Sequence, residues 1–456
     1  MARTTSPGPR AGRTQRVLDW VEGHPPPGRL TRALLSGRLW RSPIRGPWLT
    51  AVFGSVLLVG LPVLVLTGLL SFLAYQPQFA GNAQPADVGW LHLPYVTWPA
   101  SPGWLYRVTQ GVHVVGGIVL IPVVLAKLWS VIPKLFAWPP ARSLTQALER
   151  LSLLALVGGI LFEIVTGVMN VQYDYAFGFD FYTTHYYGAW VFLAGLVVHL
   201  VLKVPVMRRA LRTRSLAVEL RTPGSRTRVE SVPDDERMGG LVPVSPGPVT
   251  TSRRGALAVV GAGSLLLFAV SGGASISERL RATALFSPRS RVGGPASAHF
   301  PVNKTAVGAG ITARATGADW RLTVQGPTGE VVLLRRDQLL AMPQHRAGVP
   351  ISCVEGWSTH QTWSGPRLRE LAALVGVTGP ATAVVTSVEQ GSPYSRVVLN
   401  HLQVAAGDAM LALLVNGEDL TPDHGYPARV VVPAIPGVHA TKWVASISFE
   451  PTRTDA

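Results

Sequence analysis

From His185 to Val206 the chain reads HYYGAWVFLAGLVVHLVLKVPV, a run whose one charge, Lys203, lies near its end. A helix rises ~1.5 Å per residue, so about 20 such residues cross the hydrocarbon of a bilayer. Four more stretches share this character: Pro47–Leu73 without a charge, Val108–Trp129 with Lys127 near its end, Leu151–Val171 around Glu163, and Gly255–Ala274. No competing amphipathic pattern appears, so the five read as membrane spans rather than buried helices of a soluble core. Composition agrees. Of 456 residues 47% are apolar and only 14% charged, against ~25% charged in ordinary soluble chains. That apolar content excludes a disordered chain. The net charge of +16 is too dilute for a nucleic-acid binder, which concentrates Lys and Arg in patches.

The charge is placed, not spread. Residues 1–46 hold nine Arg and two acids. The loop from Tyr75 to Gly103 and the loop from Gln172 to Thr184 hold no Lys or Arg, whereas Lys134, Arg142, Arg150, Arg208, Arg209, Arg212 and Arg214 flank the other span ends. By the positive-inside rule the N-terminus is cytoplasmic. The Pro-, Ser- and Arg-rich segment from Ser215 to Ser252 reads as a flexible cytoplasmic linker. The fifth span then leads outward, across the cell membrane, to an extracytoplasmic domain. Its start, Thr251-Ser252-Arg253-Arg254-Gly255, resembles a twin-arginine export signal retained as an anchor. From Pro295 onward basic and acidic residues balance at 12 each, so the whole excess lies before the exported part. Cys353 is the single cysteine, and an internal disulfide is excluded.

Three histidines, His113, His185 and His199, lie in or at the ends of spans, where an imidazole is costly and functional by default. His185 and His199 are 14 residues apart on one helix. That spacing returns to within ~40° of the same face after ~21 Å, as two haems stacked across a membrane require. Measured from the basic inner flanks, His113 and His185 fall in the outer half and His199 lies deeper. The favoured pair around a b-type haem is His113 with His185, with His113–His199 the runner-up. Glu163 reads either as a packing group or as a proton route beside a quinone site.

These spans and histidines resemble the bacterial cytochrome b subunits of membrane-bound formate dehydrogenases and hydrogenases. That resemblance implies a four-helix haem bundle exchanging electrons with quinone, with the outer His of the last helix paired to His113. In that family the inner His pairs with a His on the first helix. Here the first span has none, so His199 lacks that partner.

The texture changes from Pro295. Short β-type runs, Trp320–Val324, Val331–Leu334, Ala383–Thr386, Leu411–Val415, Arg429–Val432 and Trp443–Phe449, alternate with Gly and Pro turns, and a helix is predicted over Arg367–Val375. The expected fold is α+β, mostly β. Cys353 sits in Pro350-Ile351-Ser352-Cys353-Val354-Glu355-Gly356-Trp357, read as an apolar strand. Downstream come Pro422-Asp423-His424-Gly425-Tyr426-Pro427-Ala428-Arg429 and Thr441-Lys442-Trp443. Together these resemble the sulfite-oxidase superfamily of molybdopterin enzymes over roughly Phe300 to Glu450. The resemblance implies Cys353 as the soft thiolate ligand of molybdenum. It implies His424, Arg429 and Lys442 as the groups holding the pterin and its phosphate. Arg429 and Lys442 are both read as embedded in apolar strands. Glu355, Gly356 and Trp357 follow the cysteine where animal and plant sulfite oxidases place Asn and paired Arg. This is closer to the bacterial periplasmic sulfoxide reductases that repair oxidised methionine, with Glu355 and Asn303 as further catalytic candidates and a neutral oxide as substrate.

The expected organisation is therefore a basic segment (1–46), a four-span cytochrome domain (47–214), a linker (215–252), an anchor (253–274) and a molybdopterin domain (295–456). The expected function is a quinone-linked reductase of S- or N-oxides, passing electrons through haem b to molybdenum. The alternatives are sulfite-oxidase-like oxidation feeding electrons to the membrane, and a non-catalytic electron carrier with a degenerate fold.

Overall fold

A computed structural model describes residues 13–24, 40–75, 87–94, 96–136, 143–230, 241–243, 245–291, 300–392 and 394–452. Most of the basic N-terminal segment, Arg142 and the start of the last domain at Pro295 lie outside the described residues. Five described helices are long and apolar enough to cross a membrane: α1 (Pro47–Tyr75), α2 (Leu105–Leu135), α3 (Leu144–Asn170), α4 (Phe181–Leu211) and α5 (Arg253–Ser271). The first four extend past the hydropathic stretches at one end or both. α5 stops earlier than its apolar run, at Gly272-Gly273. Side chains such as Val59 (70% exposed), Val201 (72%) and Val259 (73%) line the outsides of these helices. Such surface suits hydrocarbon and not water.

The chain divides into two compact units. One comprises Met1–Gly60, Leu120–Thr166 and Thr184–Leu265, the other Leu61–Val119, Gly167–Thr183 and Leu266–Ala456. In the first, α3 and α4 cross through glycines. A Cβ on Gly195 would lie 2.7 Å from the Leu156 backbone nitrogen, and one on Gly159 would lie 2.8 Å from Phe192 Cβ. Small residues let membrane helices approach closely. Below them Trp48, Ile44, Leu49, Phe53 and Val123 form an apolar cluster. The composition predicts a flexible linker after Ser215, and the structure corrects this for residues 215–230. They form a short helix, Leu216–Arg221, and a 3-10 turn, Gly224–Arg226. Glu219 and Glu230 are buried there. Glu219 pairs with Arg214 at 2.8 Å and with Arg253 at 3.5 Å, and Glu230 lies 3.7 Å from Arg253. Charge pairing, invisible to a hydropathy reading, orders the segment. It also gives Arg253 of the arginine pair a structural role, while Arg254 stays exposed.

In the second unit the C-terminal domain carries two main sheets. The strands are β1 (Leu322–Gln325), β2 (Val331–Leu334), β3 (His345–Ser352), β4 (Ser358–Gly365), β5 (Ala381–Ser387), β6 (Arg396–Leu399), β7 (Met410–Ala412), β8 (Leu414–Val415), β9 (Glu418–Asp419), β10 (Arg429–Val431) and β11 (Val444–Pro451). One sheet has the order β2-β1-β11-β5-β6, the other β9-β8-β4-β3, and β10 pairs with β7. β11 runs parallel to β1 and antiparallel to β5. Strict alternation along Ala381–Ser387 buries every second side chain, as a half-buried strand requires. The short helix lies at Leu368–Ala373, inside its predicted range. Only Pro350–Ser352 of β3 fell within a stretch read as strand, and β4 was not among the predicted runs. Gly348, Pro350 and the polar sequence Ser-Thr-His-Gln-Thr disguise them, yet they pair over eight positions from His345↔Gly365 to Ser352↔Ser358.

Within this same unit the ends of the long helices are built into the domain core. Tyr75, Trp98 and Tyr106 share one buried cluster with Leu322, Val385, Leu411 and Ile447. The Trp98 indole donates to Ala434 O at 2.7 Å, and Gln110 Nε2 donates to Val354 O at 2.7 Å.

Candidate functional site

Cys353 closes the β3–β4 hairpin. It stands just beyond the strand rather than inside it, which corrects the strand reading: Cys353 N–H donates to Trp357 O at 3.0 Å, and Gly356 N–H returns to Cys353 O at 3.0 Å. Gly356 has φ +86° and its α-carbon faces Val114, whose Cβ would be 2.8 Å from an added methyl. Only glycine fits such a left-handed, crowded position. The turn is thereby pressed onto α2 and held there by Gln110. Cys353 is 2% exposed and packs with Ala274, Ala284 and Trp357. Burial first, and the Glu355 carboxylate second, push its thiol well above the ordinary range. A metal ligand must be thiolate, so loading a metal here releases a proton.

Two adjoining cavities meet at this thiol, the larger of about 230 Å3. Asn303, Cys353, Arg429, Gly437 and Lys442 line both. His424 ends a 3-10 turn, Pro422–His424, and Gly425 follows with φ +110°. An added Cβ on Gly425 would come within 3.2 Å of Arg429 Cβ and 3.1 Å of Lys442 Cβ, so this glycine allows the basic groups to converge. Arg429 opens β10. Lys442 lies on the turn before β11, which corrects its reading as a strand residue; Trp443 beside it has φ +52°.

The electrostatics separate the three basic candidates. Burial pushes the Lys442 ammonium down to about 7, with Arg429 adding to the effect, and pushes Arg429 down to about 10. Neither has a carboxylate partner at salt-bridge distance among the described residues. Lys442 Nζ donates to the Asp423 carbonyl at 2.9 Å and to that of Lys304, and Arg429 Nε to Ala440 O at 3.1 Å. His424 is pushed down to about 4 by burial and then by Arg429, so it is neutral near pH 7. Its Nδ1 lies 2.7 Å from Thr421 Oγ1 and its Nε2 3.2 Å from Phe300 O. The carbonyl can only accept, so Nε2 carries the proton. Both nitrogens are thus used inside the protein, and His424 shapes the wall while Arg429 and Lys442 bear its charge.

A pterin with a phosphate tail and a thiolate-ligated metal needs a soft sulfur, cations and spare hydrogen-bonding groups around enough space. The cleft supplies Cys353, Arg429 and Lys442. It also supplies the Thr441 hydroxyl, buried and without a hydrogen-bond partner among the described residues, which a bound polar group would satisfy. The residues fit.

On the other side of the thiol, Glu355 is 6% exposed. One oxygen accepts from Arg289 Nη1 at 2.7 Å, the other from the Trp357 indole N–H at 2.7 Å. Arg289 belongs to the turn Pro288–Arg291 that follows α5 and also donates to Tyr173 O at 3.1 Å. Sequence reasoning gave no role to Thr441, although it stands in the motif with Lys442, and missed Arg289 and Lys304, which tertiary packing brings to the cleft.

Among the described residues no group of three or more His, Cys, Asp or Glu is placed to hold a metal ion. His113 Nδ1 lies 2.9 Å from Leu64 O and 3.3 Å from Thr67 Oγ1. Its ring lies against Gly68, where an added Cβ would be 3.0 Å from Cε1. The backbone acceptor places the ring proton on Nδ1. His185 does not fit a haem iron as it stands, because Nδ1 meets Thr166 Oγ1 at 3.0 Å and Nε2 meets Glu163 at 3.0 Å. His199 is half-buried in α4.

Residues 309–456 match the family model of the oxidoreductase molybdopterin binding domain. The chain is 34% identical over 131 residues to the uncharacterized oxidoreductase YuiH of Bacillus subtilis (strain 168), covering 28% of this chain and 65% of that one. It is 33% identical over 113 residues to a sulfite oxidase of Arabidopsis thaliana, covering 20% and 28%. It is 24% identical over 184 residues to an NADH nitrate reductase of Volvox carteri, covering 34% and 21%. The chain thus spans less than two thirds of the length of each of these relatives. Thiol, cations and cleft converge with these matches: residues 309–456 carry a molybdopterin-binding oxidoreductase domain that is similar in sequence to sulfite oxidase.

Proposed function

We propose that the protein is a membrane-anchored oxidoreductase that reduces S- or N-oxides outside the cytoplasm with electrons drawn from hydroquinone in the bilayer. Cys353 ligates molybdenum, Arg429 and Lys442 hold the phosphate tail of the pterin, and Thr441 and Asn303 line its seat. Bound there, the cofactor supplies oxygen-atom transfer coupled to two electrons. For an S-oxide, two electrons and two protons yield the sulfide and water, and one hydroquinone oxidised to quinone supplies both.

One observation carries this reading: the hydrogen bond from Gln110 to Val354 O. It ties the turn bearing Cys353 to the helix bearing His113, one turn away. His113 is the residue that would hold a b-type haem from α2. His185, with His199 as runner-up, stays the sequence-derived candidate for further haem ligation. The similarity to sulfite oxidase favours a second reading, in which the same centre oxidises its substrate and electrons run into the membrane. Metal and pyridine-haemochrome analysis of purified protein tests both readings. About one molybdenum per chain is expected in the wild type and none in Cys353→Ala, with haem lost in His113→Ala. Wild-type protein without molybdenum overturns the proposal.

A further inference from the structure

The charged groups lining the larger cavity are Asp180, Arg289, Lys304, Glu355, Glu389, Arg429 and Lys442. Arg429 and Lys442 face the seat proposed for the anionic pterin. The two remaining cations each have a carboxylate on them. Lys304 bonds to Glu389. Arg289 bonds to Glu355 at 2.7 Å, with side chains 31% and 5% exposed. Asp180 accepts from Thr183 N–H at 2.7 Å and adds negative charge. A cavity that takes an oxyanion needs an uncompensated cation beside the reacting atom. Here the cation nearest the turn of Cys353 has its charge cancelled, and an arriving anion would meet the Glu355 carboxylate, a like-charge juxtaposition that works as rejection. The Trp357 indole holds the second carboxylate oxygen at 2.7 Å, so Glu355 cannot swing away without breaking two bonds. The guanidinium keeps its N–H donors, which can bind the oxygen of a neutral oxide.

We propose that the Arg289–Glu355 ion pair is the specificity device of the cleft, selecting neutral S- or N-oxides and rejecting oxyanions such as sulfite and nitrate. Arg289 is a latent anion site held shut by Glu355. This rests on the function proposed above, and one set of samples separates the two claims. Sulfate binding to full-length, molybdenum-loaded protein is measured by isothermal titration calorimetry, with molybdenum quantified in each sample. Glu355→Gln keeps the shape and the indole contact through its amide oxygen while removing the charge. It is expected to bind sulfate roughly ten- to a hundredfold more tightly than wild type, the range of a charge-assisted hydrogen-bonded pair. Adding Arg289→Leu is expected to abolish the gain. Molybdenum present with no gain in Glu355→Gln, or a gain that survives Arg289→Leu, overturns the charge lock and leaves the function standing. Wild type without molybdenum overturns the function. If Glu355→Gln does not load molybdenum, Arg289→Met tests the pair from the other side. Uncompensated Glu355 is then expected to tighten binding of the cation trimethylsulfoxonium at least about fivefold, and an unchanged affinity overturns the lock.

Discussion

Cys353 and Glu355 at the end of the β3–β4 hairpin, and Thr441 from the segment before β11, line the cleft proposed as the cofactor seat. Cys353 is buried and protonated until a metal takes it, Glu355 is committed to Arg289 and Trp357, and Thr441 waits with an unused hydroxyl. Replacing Thr441 by Val keeps the shape and removes that hydroxyl. Cofactor retention is expected to fall about fivefold, on the order of 1 kcal/mol for one neutral hydrogen bond, read as molybdenum retained after dialysis. Retention equal to wild type removes Thr441 from the seat. His424 shows how a residue type can be right in place and different in role. Its position on the cleft was legible from the motif around it, whereas its neutrality follows from burial next to Arg429, which no spacing reveals.

At the scale of elements, the long helices were legible because hydropathy is additive along a segment, and Val331–Leu334 because it is short, β-branched and bounded by turns. The hairpin of β3 and β4 was not, since its polar strand is stabilised by register with its partner rather than by its own composition. The contact between that hairpin and α2 was equally hidden, and it yields a sharp expectation. Gly356→Ala must strain a φ of +86° and meet Val114 at 2.8 Å, which costs roughly 1–3 kcal/mol. Because the strain falls on the Cys353 turn, molybdenum content is expected to drop along with the melting temperature. A variant of unchanged stability and loading would show that the turn does not bear on α2. At the foot of the helices, Glu230→Ala removes one of the two carboxylates facing the buried Arg253. Breaking a buried pair costs about 3–5 kcal/mol, so this variant is expected to lose most of its folded yield in detergent, and near-wild-type yield would show the cluster to be dispensable.

Over the whole molecule, two buried histidines couple stability to pH. His439 is fully buried and pushed down to about 3, by desolvation, and His424 to about 4. Both sit below the ~6.5 of an unfolded chain. Between these values the unfolded state binds the extra protons. Stability is therefore complete above about pH 6.5 and falls as pH drops toward 4, by roughly 1 kcal/mol per pH unit for each group. Melting curves between pH 7.5 and 4.5 check this, and a slope unchanged in His439→Phe would place the titration elsewhere. At this scale the charge excess precedes a neutral last domain, the asymmetry on which the proposed placement of that domain outside the membrane rests. The central claim is that the thiol of Cys353 and the helix of His113 serve one electron path. It is tested most directly by reducing the purified protein with dithionite and mixing it with methyl phenyl sulfoxide while the haem absorbance is followed. Reoxidation in wild type but not in Cys353→Ala of equal haem content is the expected result. Reoxidation at the same rate in both, or no haem to follow, would contradict it.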